Sequence, residues 1–109
     1  MVRVTFLYRN SGSSRFDLDY YLNDHLSLSR QVFGEALKGI WIDRGTSGAE
    51  PGSQPPFHVI ANLLFDSVDD FYAALLPRMH ELIADAAKYT DAETLIQISE
   101  VLLPESVGK

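Results

Sequence analysis

Four short apolar stretches along the chain predict β-strands, and the first of them alternates between apolar and other side chains with a period of two. In that first stretch one face carries Val2, Val4, Phe6 and Tyr8. The four strands are predicted at residues 2–8, 37–44, 57–65 and 95–103.

Between the first two strands the apolar positions change to the period of an amphipathic helix. Asp17 suits the N-cap of this helix, which is predicted to run to about Phe33, and Gly34 suits its end. Its apolar stripe contains one titratable residue, His25. The stripe consists of Leu18, Tyr21, Leu22, His25, Leu28 and Val32.

A second helical region follows the third strand. Ser67 suits its N-cap, and Pro77 interrupts the pattern, because proline lacks the N–H that a helix interior needs. We therefore predict a kink or two segments, at residues 68–76 and 78–88. The connections are predicted at residues 9–15, 45–56 and 89–94.

The resulting order, β-α-β-β-α-β, predicts an α+β ferredoxin-like fold, the split βαβ arrangement. Its four strands would form an antiparallel sheet with both helices on one face. At 109 residues the chain is expected to form a single domain over residues 1–109.

The helices of such a fold cover only one face of the sheet, yet the predicted strands place apolar residues on both. In the second strand Leu37 and Trp41 fall on the face opposite Ile40 and Ile42, and in the third strand Ile60 and Leu64 fall on the face opposite Val59, Leu63 and Phe65. Large exposed apolar patches usually mark interfaces, so a homodimer packed sheet against sheet is expected. A better-packed monomer, in which one strand is assigned to the wrong face, is the alternative.

The composition limits the classes of partner expected for the protein and its expected location in the cell. The formal net charge is −6 without a basic cluster, which argues against nucleic acid and against an anionic membrane surface. There is no apolar run long enough to span a membrane and no signal peptide is expected at the N-terminus. Cysteine is absent, so disulfide and thiolate chemistry are excluded. Together these features favour a cytoplasmic protein.

Three motifs carry a resemblance to a known family. They are F-D-x-D-Y-Y-x-x-x-H-x-x-L from Phe16, P-P-F-H-V-I-A-N-L-L-F-D-S from Pro55, and D-A-A-K-Y-T-D from Asp85. With them the chain resembles the EthD-type proteins of the dimeric α+β barrel superfamily over about residues 3–103. The family match to the first motif rests on Asp17, Tyr20, Tyr21 and His25, and the match to the last on Asp85, Thr90 and Asp91.

The resemblance implies a homodimer whose sheets form a barrel, with a ligand cleft between each sheet and its helices. Relatives include small monooxygenases, muconolactone isomerases and polyketide cyclases, many of which work without metal or flavin. The family commonly has a proline two residues after the motif histidine, where this chain has Ser27. That difference either loosens the middle of the helix or makes it more regular.

His25 is the candidate catalytic residue, because an imidazole can accept or donate a proton near neutral pH. Tyr21 lies one helical turn before it and can assist with its phenol. Asp85 is the predicted partner of the remaining ring nitrogen, since the second helix should pack beside the first. The alternative is a purely structural His25, bonded to a backbone carbonyl or to Asp85.

Five further residues are candidates for ligand binding. Aromatic side chains can line a flat pocket for a small aromatic or hydrophobic ligand, although they are equally the ordinary material of small cores. His58 lines the cleft, lies at the dimer seam or is structural, with the structural role favoured. The candidates are Tyr8, Trp41, His58, Tyr89 and Thr90, the last of these from the resemblance.

Three histidines on different elements do not have metal-ligand spacing, so neither a metal nor another cofactor is expected. The first functional hypothesis is a cofactor-independent cyclase, dehydratase, decarboxylase or isomerase that acts on an aromatic or polyketide-like carbonyl compound. A cofactor-independent monooxygenase and a non-catalytic protein that binds a hydrophobic metabolite or supports another enzyme are the alternatives.

Overall fold

The structure is a computed structural model that describes residues 1–103. Strands and helices follow one another in the predicted β-α-β-β-α-β order. The single-domain prediction also covers residues 104–109, which lie outside the described part. The strands are β1 (Val2–Arg9), β2 (Gly39–Arg44), β3 (Phe57–Phe65) and β4 (Thr94–Glu100), and the helices are α1 (residues 18–33), α2 (Val68–Leu75) and α3 (Met79–Tyr89).

The helix boundaries follow from the residues that cap or interrupt them. Asp17 caps α1 by accepting a hydrogen bond from the backbone N–H of Tyr20, and Ser67 caps α2 in the same way through Asp70. The predicted break at Pro77 is a 3-10 turn, Leu76–Arg78, between α2 and α3. A second 3-10 turn, Gly34–Ala36, ends α1.

The four strands form one antiparallel sheet in the order β2-β3-β1-β4. Val4 in β1 lies opposite Leu63 in β3 and opposite Ile98 in β4, which sets the faces of all three strands. The ferredoxin-like α+β fold predicted from the sequence is confirmed.

The face of the sheet below the helices carries two clusters of buried side chains. One is aliphatic and aromatic, and its largest members are Phe33, Phe65 and Phe71. The other is rich in tyrosine and consists of Tyr8, Tyr21, Leu26, Val59 and Tyr89. We call the second one the tyrosine cluster. The core is therefore apolar at one end and bears buried phenols at the other.

The opposite face of the sheet, which we call the open face, mixes apolar and polar side chains. Trp41 is 49% exposed there, with the Arg3 guanidinium 5.6 Å from its ring centre. The register places the apolar residues Leu7, Ile60, Leu64 and Leu95 beside the polar residues Arg3, Thr5, Asn62 and Gln97.

Two apolar residues do not lie where the strand predictions placed them. Leu37 is predicted to lie in the second strand on the same face as Trp41, but β2 begins at Gly39, and Leu37 packs instead against the cluster that contains Phe33, Phe65 and Phe71. A side chain at position 39 would clash with the Trp41 ring, since a Cβ there would lie 2.8 Å from it. Leu102, predicted to be in the last strand, lies beyond the end of β4 and is exposed.

Within residues 1–103, no helix combines the length and the apolar character that crossing a bilayer requires.

Candidate active site

A change of helix type in the middle of α1 shapes the site. Residues Tyr21–His25 form a π-helical turn, in which the backbone N–H of Leu26 donates to the carbonyl of Tyr21. The flanking segments, Leu18–Tyr20 and Leu26–Phe33, are α-helical. The sequence had predicted one continuous helix here. Such π turns are rare and occur frequently at functional sites, because they redirect side chains.

His25 is buried at the end of this turn and is held on two sides. Its Nδ1 lies 2.8 Å from Oδ2 of Asp85 on α3. The ring of Tyr21 stacks on the imidazole, with ring centres 5.5 Å apart and an angle of 18° between the planes. Because a carboxylate can only accept, a neutral His25 donates from Nδ1 and presents the lone pair of Nε2.

Two phenols of the tyrosine cluster extend the hydrogen bonding from Nε2. The Tyr89 hydroxyl lies 3.4 Å from Nε2, and the Tyr8 hydroxyl lies 2.9 Å from that of Tyr89. With Nε2 as acceptor, Tyr89 donates to His25, and Tyr8 in turn donates to Tyr89. One consistent set of hydrogen-bond directions therefore joins β1, α3 and α1.

Asp85 is held through both of its carboxylate oxygens. Oδ2 accepts from His25, while Oδ1 accepts from the Tyr20 hydroxyl at 2.7 Å. The Lys88 ammonium lies 3.8 Å from Oδ1 but is largely exposed, so it contributes little. A carboxylate with both oxygens bonded has a defined orientation, and it passes that orientation on to the imidazole.

Burial and hydrogen bonding determine the charge of each group. Burial lowers the pKa of His25 below its usual value, although the hydrogen bond to Asp85 opposes this shift. For Asp85, burial raises the pKa, but the hydrogen bonds from Tyr20 and His25 outweigh it and the net pKa is lowered. Burial raises the pKa of Tyr8, Tyr21 and Tyr89. At neutral pH the site therefore holds a neutral imidazole, a carboxylate and protonated phenols.

A cavity of about 340 Å³ lies between the sheet and the helices and reaches His25. Its walls are mostly apolar, and in the described part of the chain no Lys, Arg, Asp or Glu contributes to them. The polar lining residues are Tyr8, Tyr21, His25, Ser29, Tyr89 and Thr94, and the apolar ones are Phe6, Leu26, Phe33, Ile40, Leu63, Phe71, Leu75, Met79, Leu82, Ile83, Ala86 and Ile96.

The structure brings together some of the residues singled out from the sequence. Tyr8, Tyr21, His25 and Tyr89 line the cavity, and Asp85 lies behind the imidazole. These residues come from β1, α1 and α3, so their meeting is a consequence of the fold. Their roles in catalysis or binding stay predictions.

Three of the predicted ligand-binding residues lie away from this cavity. Trp41 is on the open face, because its strand position has the opposite parity to Ile40, which does line the cavity. Thr90 is buried in the turn after α3, where it donates to the Arg15 carbonyl and accepts from the Ala92 N–H. Its contacts organise the turn.

His58 also lies outside the main cavity. Its Nε2 is 2.8 Å from the Ser14 hydroxyl, and its ring stacks on Phe16 at 5.9 Å. It borders a smaller cavity of about 150 Å³ with Arg44 and Pro55. Phe16 in turn packs against Tyr8 and Tyr21, so His58 is linked to the tyrosine cluster through the Phe16 ring.

Other contributors were not identified from the sequence. Tyr20 was matched only as part of a motif, since it lies off the apolar stripe of an ideal helix. Ser29, buried beside the cavity, resembled an ordinary helix residue. Exposed Met79 and Ile83 on α3 border the cavity, and their unusual exposure could not be read from their apolar character alone. Among residues 1–103, no three His, Asp or Glu side chains converge in a way that could hold a metal ion.

The fold of this chain is similar to that of other proteins of known structure. An EthD-like protein from Ralstonia eutropha JMP134 is 31% identical and superposes with a TM-score of 0.92, covering 96% of this chain and 95% of that one. No significant match was found among the curated proteins.

Two more distant structures share the fold. A dimeric ferredoxin-like protein from Thermobifida fusca YX has 17% identity and a TM-score of 0.58, covering 92% of this chain and 90% of that one. SnoaB from Streptomyces nogalater, a cofactor-independent oxygenase, has 13% identity and a TM-score of 0.56, covering 95% and 96%.

The family comparison agrees with the motifs. The model of the EthD domain matches residues 12–93, a range that includes the π turn, His25 and Asp85. Since this match covers most of the chain and the Ralstonia structure is similar over nearly its full length, the protein belongs to the EthD family.

Proposed function

We propose that the protein is a cofactor-independent enzyme that moves a proton on an aromatic or polyketide-like carbonyl compound, with His25 as general base and acid. One observation carries this proposal. The Nδ1 of a buried His25 is bonded to Asp85 at 2.8 Å, which leaves Nε2 unprotonated beside an apolar cavity. A neutral imidazole held in one tautomer is suited to accepting a proton.

The proposed reaction begins with removal of a proton from the carbon next to the substrate carbonyl. The C–H bond breaks, the proton binds Nε2, and the electron pair moves onto the carbonyl oxygen. Asp85 stabilises the imidazolium that forms, and a phenol donor such as Tyr21 can stabilise the enolate oxygen. The Tyr89 hydroxyl, which donates to Nε2 in the free site at 3.4 Å, becomes available as a second donor once Nε2 carries the proton. Return of the proton to another atom gives isomerisation, or accompanies ring closure or loss of water.

The cavity supports an uncharged ligand with a large apolar part. Within the described residues 1–103 no Lys, Arg, Asp or Glu lines it, so a carboxylate or phosphate inside would be desolvated without a partner. Its volume of about 340 Å³ is at the lower end of the range usual for small-molecule sites, and its open side allows a longer ligand to extend outward. Aromatic walls fit a planar ring system.

Solvent deuterium exchange tests this proposal without knowledge of the final product. We expect the protein to accelerate α-hydrogen exchange of an uncharged aryl ketone or aryl 1,3-diketone in D₂O, followed by proton NMR. The rate should saturate with ligand concentration, because the reaction occurs in a bound complex. If several such ketones bind tightly but exchange no faster than in buffer, the result supports the non-catalytic binding alternative instead.

An oxygenase reaction is the second candidate, because SnoaB, which shares the fold, is described as a cofactor-independent oxygenase. In this reaction the substrate carbanion, formed when His25 takes the proton, would transfer electrons to dioxygen. Oxygen would therefore be the second substrate. Measurement of oxygen uptake alongside deuterium exchange separates the two reactions.

The homodimer is proposed to form through the open face. Trp41 is half exposed there, opposite Asn62 in β3 and on the same face as Ile60 and Leu64, and aromatic residues are frequent anchors of interfaces. The Thermobifida fusca structure of the same fold is described as dimeric.

We expect a solution mass of twice 12.2 kDa by light scattering, and we expect Trp41→Asp to shift it toward the monomer because two buried charges would face each other. Leu76→Asp is the matched control, since Leu76 is 58% exposed on the helical side. A wild-type mass near 12.2 kDa at micromolar concentration would rule out the dimer.

A further inference from the structure

The second oxygen of Asp85 is occupied by a side chain to which neither the motifs nor the reaction assigns a role. We propose that Tyr20 is a positioning residue, which holds the carboxylate of Asp85 so that its other oxygen keeps His25 oriented as a base. The π turn is the backbone feature that makes this possible. The catalytic part of this inference rests on the proposed function, whereas its effect on His25 can be measured in the free protein.

The geometry of the helix explains why the π turn is needed. Tyr20 and His25 are five residues apart, and in an α-helix such residues point about 140° away from each other. In the Tyr21–His25 turn, hydrogen bonds join residues five apart, so residues at that spacing lie roughly one above the other. Both side chains then reach the same carboxylate on α3, at 2.7 and 2.8 Å.

The contacts of Tyr20 are those of a group that restrains its partner. Its hydroxyl donates to a charged oxygen, and charge-assisted hydrogen bonds are stronger than neutral ones. The same hydrogen bond raises the pKa of Tyr20 to about 12, so the phenol remains a donor at any ordinary pH. Its ring also stacks on that of Tyr89 at 6.5 Å, with an angle of 23° between the planes.

The adjacent residue, Tyr21, makes different contacts from Tyr20, so the two tyrosines have separate roles. Tyr21 points into the tyrosine cluster, where its ring packs on Tyr8, Tyr89 and His25. Tyr20 is only half-buried and lies on the side of Asp85 away from the imidazole. Losing its hydroxyl therefore removes one hydrogen bond and leaves the packing around His25 in place.

The test is Tyr20→Phe, with the pKa of His25 measured by NMR titration of the imidazole in the free protein. Without the Tyr20 donor, the Asp85 carboxylate becomes a stronger acceptor for Nδ1–H, and this stabilises the imidazolium. We expect the pKa of His25 to rise by about half a unit, whereas Asp85→Asn should lower it by about one unit or more. Opening of the site would also raise this pKa, because burial is what lowers it, so the near-UV circular dichroism spectrum of Tyr20→Phe must match that of the wild type for the rise to support positioning.

Other charged and titratable groups near His25 and Asp85 also influence the pKa of His25. Lys88 lies 3.8 Å from Asp85, and Asp24 contributes repulsion at Tyr20. Tyr21 and Tyr89 pack against the imidazole, and Tyr8 is hydrogen-bonded to Tyr89. All of them are unchanged by Tyr20→Phe.

On the proposed reaction, Tyr20→Phe should lower kcat roughly tenfold with little change in KM, because a misoriented base affects the chemical step and leaves binding intact. Tyr72→Phe is the matched control, since it removes a hydroxyl from a 42% exposed tyrosine on α2. A His25 pKa unchanged in Tyr20→Phe would overturn the inference. If the pKa shifts while no substrate is turned over by any variant, only the proposed function fails.

Discussion

His25→Asn is expected to lower turnover by roughly a hundredfold to ten-thousandfold, the usual contribution of a general acid or base. Asparagine retains an N–H that can donate to Asp85, so the buried carboxylate keeps a partner and the fold is preserved. It has no lone pair comparable to that of imidazole Nε2, and the proton has no acceptor. The measurement is the deuterium-exchange rate of an aryl ketone at saturating concentration, with circular dichroism as the check on folding.

The pH dependence of the rate is a second test of His25 as the base. The base form is required, so the wild-type rate should rise as the pH increases through the pKa of His25, which lies below the usual 6.5 because the ring is buried. His80→Asn is the matched control, because that histidine is exposed on α3 and does not line the cavity. If His25→Asn keeps wild-type activity with a true substrate, His25 is structural.

Phe65→Ala is expected to destabilise the protein by about 3–5 kcal/mol. Phe65 is completely buried at the end of β3, and its ring contacts those of Phe33 and Phe71, with ring centres 5.2 and 5.1 Å away. Truncation removes a large apolar surface from the core and leaves a void that the packed sheet cannot close. A domain of this size is stable by about 5–15 kcal/mol, so the loss is a large fraction of the total.

Urea unfolding at fixed protein concentration measures this loss as a shift of the midpoint, and a fixed concentration is needed because a dimer couples stability to mass action. The matched control is Phe57→Ala at the other end of the same strand, where the ring is only half-buried and about 1–2 kcal/mol is expected. Equal destabilisation by the two variants would show that the core does not depend on the Phe33–Phe65–Phe71 contacts.

The fold was accessible from the sequence because its signals are local. Asp17 and Ser67 cap their helices, Pro77 divides the second helical region, and alternation identifies the first strand. Each of these depends on residues within a few positions of one another. Together they predict the β-α-β-β-α-β order, and the largest errors in the bounds are at the start of β2 and the end of β4.

The site was accessible only in part. Tyr21, His25 and Asp85 were identified by motif and helix periodicity, but periodicity assumed an ideal helix and left Tyr20 without a function. Trp41 was assigned to the pocket because it is aromatic, whereas the pairing of β2 with β3 turns it to the open face. Which residues of one strand share a face can be read from the sequence. Which of the two faces packs against the helices depends on how all four strands pair.

Composition and periodicity were enough to establish which segments become helices and strands, because propensity, capping and apolar spacing act over a few residues. The contacts of the site required the folded chain. Asp85 lies sixty residues after His25, and whether its carboxylate meets that imidazole and the Tyr20 phenol depends on how α3 packs beside a π turn. Such long-range packing is decided by the sum of many contacts across the sheet and its helices, and no local pattern in the chain encodes it.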